Sequence, residues 1–357
     1  MFHYLVKRLL FIIPTLFGIT LITFLIVKMA PGDPLSLKLM FVDGGISPKA
    51  LAQELAKQED PLELPGWYQG FVEGVSSEGS QTEKGLNWMG KNTVFYFKWL
   101  QNVVTLDFGL SSKDKRPVVT RIKEALPITL ALNIITILIV YLISIPLGVW
   151  SAMKRESPLD KVIMVKLFIL YALPEFWVAT ILLVFLAGGE YLNWFPLMGY
   201  LSNGAENLPL WRKTLDIAWH LVLPVTVYVY GSFAFLSRFS RTNFLEVIRQ
   251  DYIRTARAKG LPERTVIWKH AFRNSLIPLV TLMGTLLPGL LGGSVIIEQI
   301  FSIPGMGMLS FEAVLSRDYN MIMGIATISA FLTLLSLLLS DLMYVWVDPR
   351  ITFEDKS

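Results

Sequence analysis

Six apolar stretches, each long enough to cross a lipid bilayer as a helix, constrain this chain more than any other feature. A helix needs about 20 residues to span the hydrocarbon core. Only 17% of the residues are charged, against about 25% in soluble proteins. The sequence therefore predicts an all-α polytopic membrane protein with six transmembrane helices. Their windows are Leu9–Val27, Ile128–Met153, Val162–Ala187, Ile217–Leu236, Leu276–Ile297 and Met321–Val347.

Basic residues predict the orientation of these helices. The connection from Ser237 to Ser275 carries nine Lys and Arg residues against three acidic residues. Other basic residues precede the first window or join the second to the third: Lys7, Arg8, Lys154, Arg155 and Lys161. Because positively charged loops stay in the cytoplasm, we expect both termini and these connections to be cytoplasmic.

The windows also divide the chain into three parts. Residues 1–29 are predicted to be a retained N-terminal anchor helix, because the apolar core is too long for a signal peptide and Lys28-Met-Ala30 is a poor cleavage site. Residues 30–125 are predicted to be an external, periplasmic cap between helices 1 and 2. Residues 126–348 would form the main transmembrane domain, with a cytoplasmic loop at 238–274.

Several motifs of enzyme and metal chemistry are missing from this sequence. It has no cysteine and only three histidines, which argues against a thiol nucleophile or a histidine-rich metal centre. It has no phosphate-binding Gly-x-x-x-x-Gly-Lys-Ser/Thr loop, no His-Glu-x-x-His and no Gly-x-Ser-x-Gly. We therefore expect no catalytic residues, no cofactor and no metal, so the chain is predicted not to be an enzyme.

An amphipathic helix is predicted in the basic loop, between Phe244 and Gly260. Gly260-Leu-Pro262 is a helix stop, because glycine adopts the left-handed conformation and proline cannot continue the helix. Two interpretations remain open from the residues alone. The segment is an interfacial helix of a positively charged loop, or its small residues Ala256 and Ala258 pack into a groove of a soluble partner. Its apolar or small face would comprise Leu245, Ile248, Tyr252 and Ala256.

A specific resemblance favours the second interpretation. Thr255-Ala-Arg-Ala-Lys-Gly260, with Arg273-Asn-Ser-Leu-Ile-Pro278, resembles the coupling-loop motif of ABC importer permeases in its dipeptide and oligopeptide variant. The resemblance covers nearly the whole chain. It departs from the general motif at Arg254, where a glutamate is usual. The long insertion between about Met40 and Lys91 makes the chain more similar to the oligopeptide and microcin-type branch. Further matching motifs are Ala30-Pro-Gly-Asp-Pro34, Asp107-Phe-Gly-Leu-Ser111, Phe301-Ser-Ile-Pro-Gly-Met-Gly307 and Asp348-Pro-Arg350.

The resemblance implies a type I ABC importer permease fold and a function. The chain would be the permease subunit of an ATP-driven importer of peptides in the bacterial cytoplasmic (inner) membrane. Relatives with other solutes leave nickel, glutathione, sugars and peptide antibiotics open. The expected partners are a homologous second permease, two cytoplasmic ATPase subunits or domains, an external solute-binding protein and the lipid bilayer, but no nucleic acid. The residues implied to couple to the ATPase are Tyr252, Thr255, Ala256, Arg257, Ala258, Lys259 and Gly260.

Glu175 is a candidate residue of the translocation path. It directly follows Pro174 near the middle of the third window, where an ionised carboxylate is costly unless it faces a bundle interior or water. A structural partner within the bundle is the alternative explanation. Glu175 also keeps a proton-coupled secondary peptide transporter open as an alternative function. Asp341, nearer a predicted cytoplasmic end, is expected to belong to a structural ion pair.

The segment from Phe301 to Met308 combines one proline and two glycines, a composition typical of turns. A tight re-entrant turn without further function would explain this composition. The resemblance implies instead that Phe301, Pro304, Gly305 and Gly307 lie near an external gate and contact the solute-binding protein.

Overall fold

The computed structural model describes residues 2–29, 93–94, 96–189, 191–286 and 288–347. Most of the predicted external cap, including the insertion between Met40 and Lys91, lies outside these residues. Within the described part of the chain, the regular secondary structure is helical, as predicted. The one pairing of extended residues is an isolated bridge between Leu110 and Pro117.

The main helices follow one another along the chain and are numbered in that order. Between α7 and α8 the chain continues through three short helical stretches, Glu263–Thr265, Val266–Phe272 and Arg273–Ser275, of which the middle one is a π-helix. The helices are α1 (Phe2–Met29), α2 (residues 96–104), α3 (Val118–Met153), α4 (Pro158–Ala172), α5 (Glu175–Leu186), α6 (Leu210–Val247), α7 (Asp251–Ala258), α8 (Ile277–Leu286), α9 (Val295–Ile300), α10 (Met306–Leu315) and α11 (Tyr319–Val347).

Four helices in the described ranges, α1, α3, α6 and α11, are long and apolar enough to cross a membrane. A fifth span is counted if α4 and α5 are taken together, although they bend by 94° at their junction. The bend lies at Leu173 and Pro174, both of which have extended backbone angles. Proline lacks the N–H of a continuous helix and pushes the preceding residue out of helical conformation.

The predicted span Leu276–Ile297 is not a single helix, so this prediction was wrong. Helix α8 has 10 residues, which gives about 15 Å of the roughly 30 Å hydrocarbon core. It is followed by a 3-10 turn at Pro288–Leu291 and then by α9. Pro288 and three glycines between the two helices explain the break, since such residues interrupt helices. The glycines are Gly289, Gly292 and Gly293.

The described residues fall into two compact units. The first lies within Met1–Ile13, Ile122–Phe311 and Ser329–Ser357, and the second within Pro14–Arg121 and Glu312–Ile328. The core of the first unit is built around α6, against which α5 and α9 pack. Its buried members include Leu132, Ala179, Val227, Ile297 and Phe301.

The second unit is centred on Tyr96, which is buried among Phe24, Val27 and Met323. The Tyr96 hydroxyl donates a hydrogen bond to the carbonyl oxygen of Phe17, 3.2 Å away, and lies 2.9 Å from the Thr20 hydroxyl. A buried tyrosine thus has its polar end satisfied, as such side chains require.

Candidate functional site

Helix α7 forms the second half of the predicted segment between Phe244 and Gly260, whose first residues belong to the end of α6. It ends as the sequence indicates. Gly260 has a φ of +73°, so the predicted left-handed glycine at this helix end is confirmed. Its N–H donates to the carbonyl oxygen of Arg257 at 2.9 Å. A side chain at Gly260 would meet no atom within 4 Å, so the backbone conformation alone favours glycine here.

The inner face of α7 packs against the chain itself. Ile253 is 0% exposed and Ala256 is 7% exposed, and both belong to a cluster with Phe244, Val266 and Ala271. The Ala256 side chain, a member of the predicted coupling set, lies in this cluster. Ile253 was missed, because the predicted apolar face was traced through Tyr252, which is exposed. The exposed members of the predicted coupling set are Tyr252, Thr255, Arg257, Ala258, Lys259 and Gly260.

An ion pair crosses the turn that follows α7. Arg257 donates to Glu263 through Nη2 at 2.6 Å and Nε at 3.1 Å. These hydrogen bonds from Arg257 lower the pKa of the Glu263 carboxyl group, and those to Glu263 raise the pKa of Arg257. The two-point contact fixes the angle between α7 and the segment that begins at Glu263. Tyr252 makes a second link, since its hydroxyl accepts a hydrogen bond from the Asn274 side-chain amide at 3.0 Å.

A buried carboxylate ties α6 to α4 and α3. Asp160, in the first turn of α4, accepts hydrogen bonds from Arg241 Nε at 3.1 Å and Nη2 at 2.8 Å. The Ser151 hydroxyl and the Glu156 N–H also donate to Asp160. Sequence reasoning missed this cluster, because Arg241 was counted only as a loop charge. The one local signal is Ser157-Pro-Leu-Asp160, in which Ser157 caps α4 by accepting from the Asp160 N–H.

Pro174 and Glu175, the predicted path residues, lie together at a cavity of about 630 Å³. The bend between α4 and α5 forms one side of this cavity, and α6 contributes Tyr230 and Gly231. The Tyr230 hydroxyl donates to the carbonyl oxygen of Leu173 at 2.9 Å. That carbonyl lies at the bend, where the Trp177 N–H, its usual helical donor, bonds to the Pro174 carbonyl instead.

The predicted gate segment is organised around Glu298, a fully buried residue of α9. Its carboxylate accepts from the Thr129 hydroxyl at 3.2 Å and from the Met308 N–H at 2.8 Å. Gly305 packs so closely that an added Cβ would lie 2.6 Å from the carboxylate atoms. Glu298 was missed, because it precedes the turn residues on which the prediction concentrated.

Most of the predicted gate residues are therefore not available to a partner in this structure. Phe301, Gly305 and Gly307 are buried within the chain, and only Pro304 of the four is exposed. The Phe301 carbonyl accepts a hydrogen bond from the Gly199 N–H at 2.8 Å. Within this chain the segment is a tightly packed turn.

Asp341 forms an ion pair with Arg8, so the prediction of a structural ion pair is confirmed. In the described ranges, no three His, Cys, Asp or Glu side chains come together in a way that could hold a metal ion. The chemistry at these sites thus consists of ion pairs, hydrogen bonds and packing.

Comparison with known proteins agrees with the helical architecture. Residues 144–353 match the family described as "Binding-protein-dependent transport system inner membrane component". The chain is 36% identical over 369 residues to the inner membrane ABC transporter permease protein YejB of Escherichia coli O157:H7, with 99% of each chain covered. It is 39% identical over 351 residues to the oligopeptide transport system permease protein AppB of Bacillus subtilis (strain 168), covering 98% of this chain and 99% of that one. It is also 33% identical over 367 residues to the dipeptide transport system permease protein DppB of Escherichia coli (strain K12), covering 98% and 99% of the two chains. These matches confirm the family resemblance, and the chain belongs to the binding-protein-dependent inner membrane components of ABC transporters.

Proposed function

We propose that this chain is the permease subunit of an ATP-driven peptide importer and that α7 receives the force of ATP hydrolysis. The single observation that carries the coupling role is the construction of α7, a short helix whose inner face is buried on the chain's own core while its outer face is exposed. Because the inner face is already packed on the core, a force applied to the outer face is passed to that core and does not displace α7 alone. The names of the relatives AppB and DppB support a peptide as the solute.

Force on α7 has a direct physical route to the cavity. Ile253 and Ala256 pack on Phe244, which lies near the end of α6. Helix α6 has 38 residues and is therefore about 57 Å long. Residues of its middle, Tyr230 and Gly231, line the cavity. A displacement at α7 would thus move one wall of the cavity as part of the same helix.

The ion pair between Asp160 and Arg241 would hold α6 and α4 together at one point while the rest of α6 moves. It joins the end part of α6 to the start of α4, while the α4–α5 bend forms another wall of the cavity. The two walls are thereby linked near one end. Closure of ATPase subunits against α7 would then change the shape of the cavity, not only the position of the loop.

The proposed assembly places ATP hydrolysis on two cytoplasmic ATPase subunits or domains. A homologous second permease would complete the path, and an external solute-binding protein would deliver the peptide. Both termini and α7 would face the bacterial cytoplasm, according to the distribution of basic residues. The proton-coupled alternative has no support from the relatives, which are named as permeases of transport systems.

Site-directed cross-linking tests the proposed contact. The chain contains no cysteine, so Ala258→Cys on the exposed end of α7 creates a single thiol. A short thiol-to-amine reagent should join it to the ATPase in the assembled transporter. Glu206→Cys, exposed before α6, serves as a matched control that should give no such product. Absence of a product from Ala258→Cys in an ATP-hydrolysing complex, or equal products from both variants, would contradict the proposal.

A further inference from the structure

We propose that the cavity beside Glu175 binds the ammonium group of a peptide in transit. This inference rests on the proposed function, because it assumes that the solute is a peptide and names the group of that peptide that the cavity binds. The observations that carry it are the size of the cavity, the position of its one carboxylate and the polar groups that remain available around it.

The cavity has the size and character of a small-ligand site. Its volume of about 630 Å³ falls within the range of roughly 300–1,000 Å³ typical of such sites. Most of its lining is aliphatic or aromatic, which suits the side chains of a short peptide. The aliphatic members include Ile137, Val140, Leu236, Leu282 and Leu286, and the aromatic ones are Tyr141, Tyr171, Tyr230 and Phe235.

Glu175 is the only acidic residue in this lining, and the lining contains no Lys, Arg or His. Across the described ranges no basic side chain lies within salt-bridge distance of Glu175. The carboxylate stands in the first turn of α5, where the helix dipole favours a negative charge. The fold thus places a carboxyl group at the cavity, and no basic side chain in the described part of the chain pairs with it.

Some of the other polar groups of the cavity already donate hydrogen bonds within the chain, and others do not. The hydroxyls of Tyr141 and Tyr230 donate to the carbonyl oxygens of Leu279 and Leu173. Thr136, Tyr171 and Ser232 also contribute hydroxyl-bearing side chains to the lining. A hydroxyl oxygen that faces the cavity can accept a hydrogen bond from a ligand N–H group.

These features favour a primary ammonium over other ligands. An ammonium carries one positive charge and three donors, which one carboxylate and a hydroxyl can match, and aromatic rings attract cations further. A divalent metal ion needs several oxygen or nitrogen ligands, and this lining offers a single carboxylate. An anionic solute would be repelled by Glu175.

Transport of paired cargoes tests the inference in the complete transporter with its binding protein and ATPases. The cargoes are a tripeptide with a free amino terminus and its N-acetylated form. The ratio of their uptake rates is measured for the wild type, Glu175→Gln and the exposed control Glu206→Gln. Dividing the variant ratio by the wild-type ratio cancels any preference of the binding protein, which is the same in every assay. Loss of a charge-assisted hydrogen bond should reduce the preference for the free amine by roughly ten-fold in Glu175→Gln and leave it unchanged in Glu206→Gln.

Different outcomes separate this inference from the proposed function. An unchanged ratio in Glu175→Gln overturns the ammonium site, even if overall uptake falls. A lack of ATP-dependent uptake by the wild type instead overturns the proposed function.

A second measurement does not depend on transport by Glu175→Gln. Ser232 lines the cavity, and Ser232→Cys places a single thiol there. The free tripeptide should slow labelling of this thiol more than the acetylated peptide does, and equal protection by both would also overturn the inference.

Discussion

The hydroxyl of Thr129 on α3 donates to the carboxylate of Glu298 on α9 across 3.2 Å, although 169 residues separate them in the sequence. The same Thr129 oxygen accepts from the Met306 N–H at 2.8 Å. Glu298 in turn accepts from the Met308 N–H. The turn between α9 and α10 is therefore held from both sides by one buried hydrogen-bond network.

Gly305→Ala should destabilise this turn. The added Cβ would lie 2.6 Å from the Glu298 carboxylate, and such overpacking costs about 1–3 kcal/mol. Thermal unfolding of the purified protein should show a lower Tm for this variant. Gly292→Ala is the matched control, since its Cβ would lie 3.9 Å from the carbonyl oxygen of Gly289, an ordinary contact distance. Equal Tm values for the two variants would show that the Glu298 network does not constrain the turn.

Asp160→Asn should reduce the free energy of unfolding strongly. Asp160 is buried and its carboxylate is the partner of Arg241, and breaking such a pair costs about 3–5 kcal/mol. Denaturant titration measures the loss. Glu156→Gln is the control, because the Glu156 side chain is 74% exposed in its pair with Arg155 and exposed pairs contribute about 1 kcal/mol or less. A loss for Asp160→Asn no larger than that for Glu156→Gln would contradict the role of this pair as a link between α4 and α6.

Gly260→Val should lower transport more than protein abundance. Gly260 has a φ of +73° and open space around it, so the valine acts through the backbone at the end of α7 and not through a clash. We expect uptake per molecule of protein to fall several-fold, because α7 would no longer keep its angle to the following segment. Gly204→Val imposes the same strain elsewhere, since Gly204 has a φ of +82° and no neighbour within 4 Å. Similar uptake by the two variants would indicate general strain and no special role of α7.

Acid should loosen the turn after α7 through Glu263. Arg257 lowers the pKa of Glu263 in the folded protein, so the ion pair stabilises the fold fully above the unfolded value of about 4.3. That contribution is lost as the pH falls through the lower folded value. Both side chains are well exposed, so solvent limits the effect to about 1 kcal/mol or less. Hydrogen exchange of the Gly260, Leu261 and Glu263 amides between pH 7 and pH 3 measures it, after correction for intrinsic exchange rates. Glu263→Gln should remove the acid-dependent part, and an identical pH profile for the variant would refute this assignment.

The sequence predicted the helical class, the family and the glycine end of α7, because hydropathy and local turn chemistry act over few residues. It did not predict the path of the chain within the apolar windows. Hydropathy shows that Leu276–Ile297 is apolar but not whether the segment is one straight helix. Pro288 and the following glycines were a usable signal for a break. Pro174 is a local signal for a bend, but the 94° angle depends on how α5 packs against α6.

The internal partners of the site could not be read from the sequence for a different reason. Asp160 and Arg241 are 81 residues apart, and no local pattern connects them. Ile253 and Tyr252 are adjacent and both apolar enough for a core, so the inward face of α7 depends on where the helix begins after Gln250. Long-range packing decides such questions, and a single sequence shows only the local preferences.

Uptake in proteoliposomes tests the central claim most directly. The chain is reconstituted with its sister permease, ATPases and binding protein, and accumulation of a labelled peptide is measured with ATP, without ATP, and with ATP plus a protonophore. The account predicts accumulation that requires ATP and persists when the protonophore collapses the proton gradient. Accumulation driven by an imposed pH step without ATP, and abolished in Glu175→Gln, would contradict it.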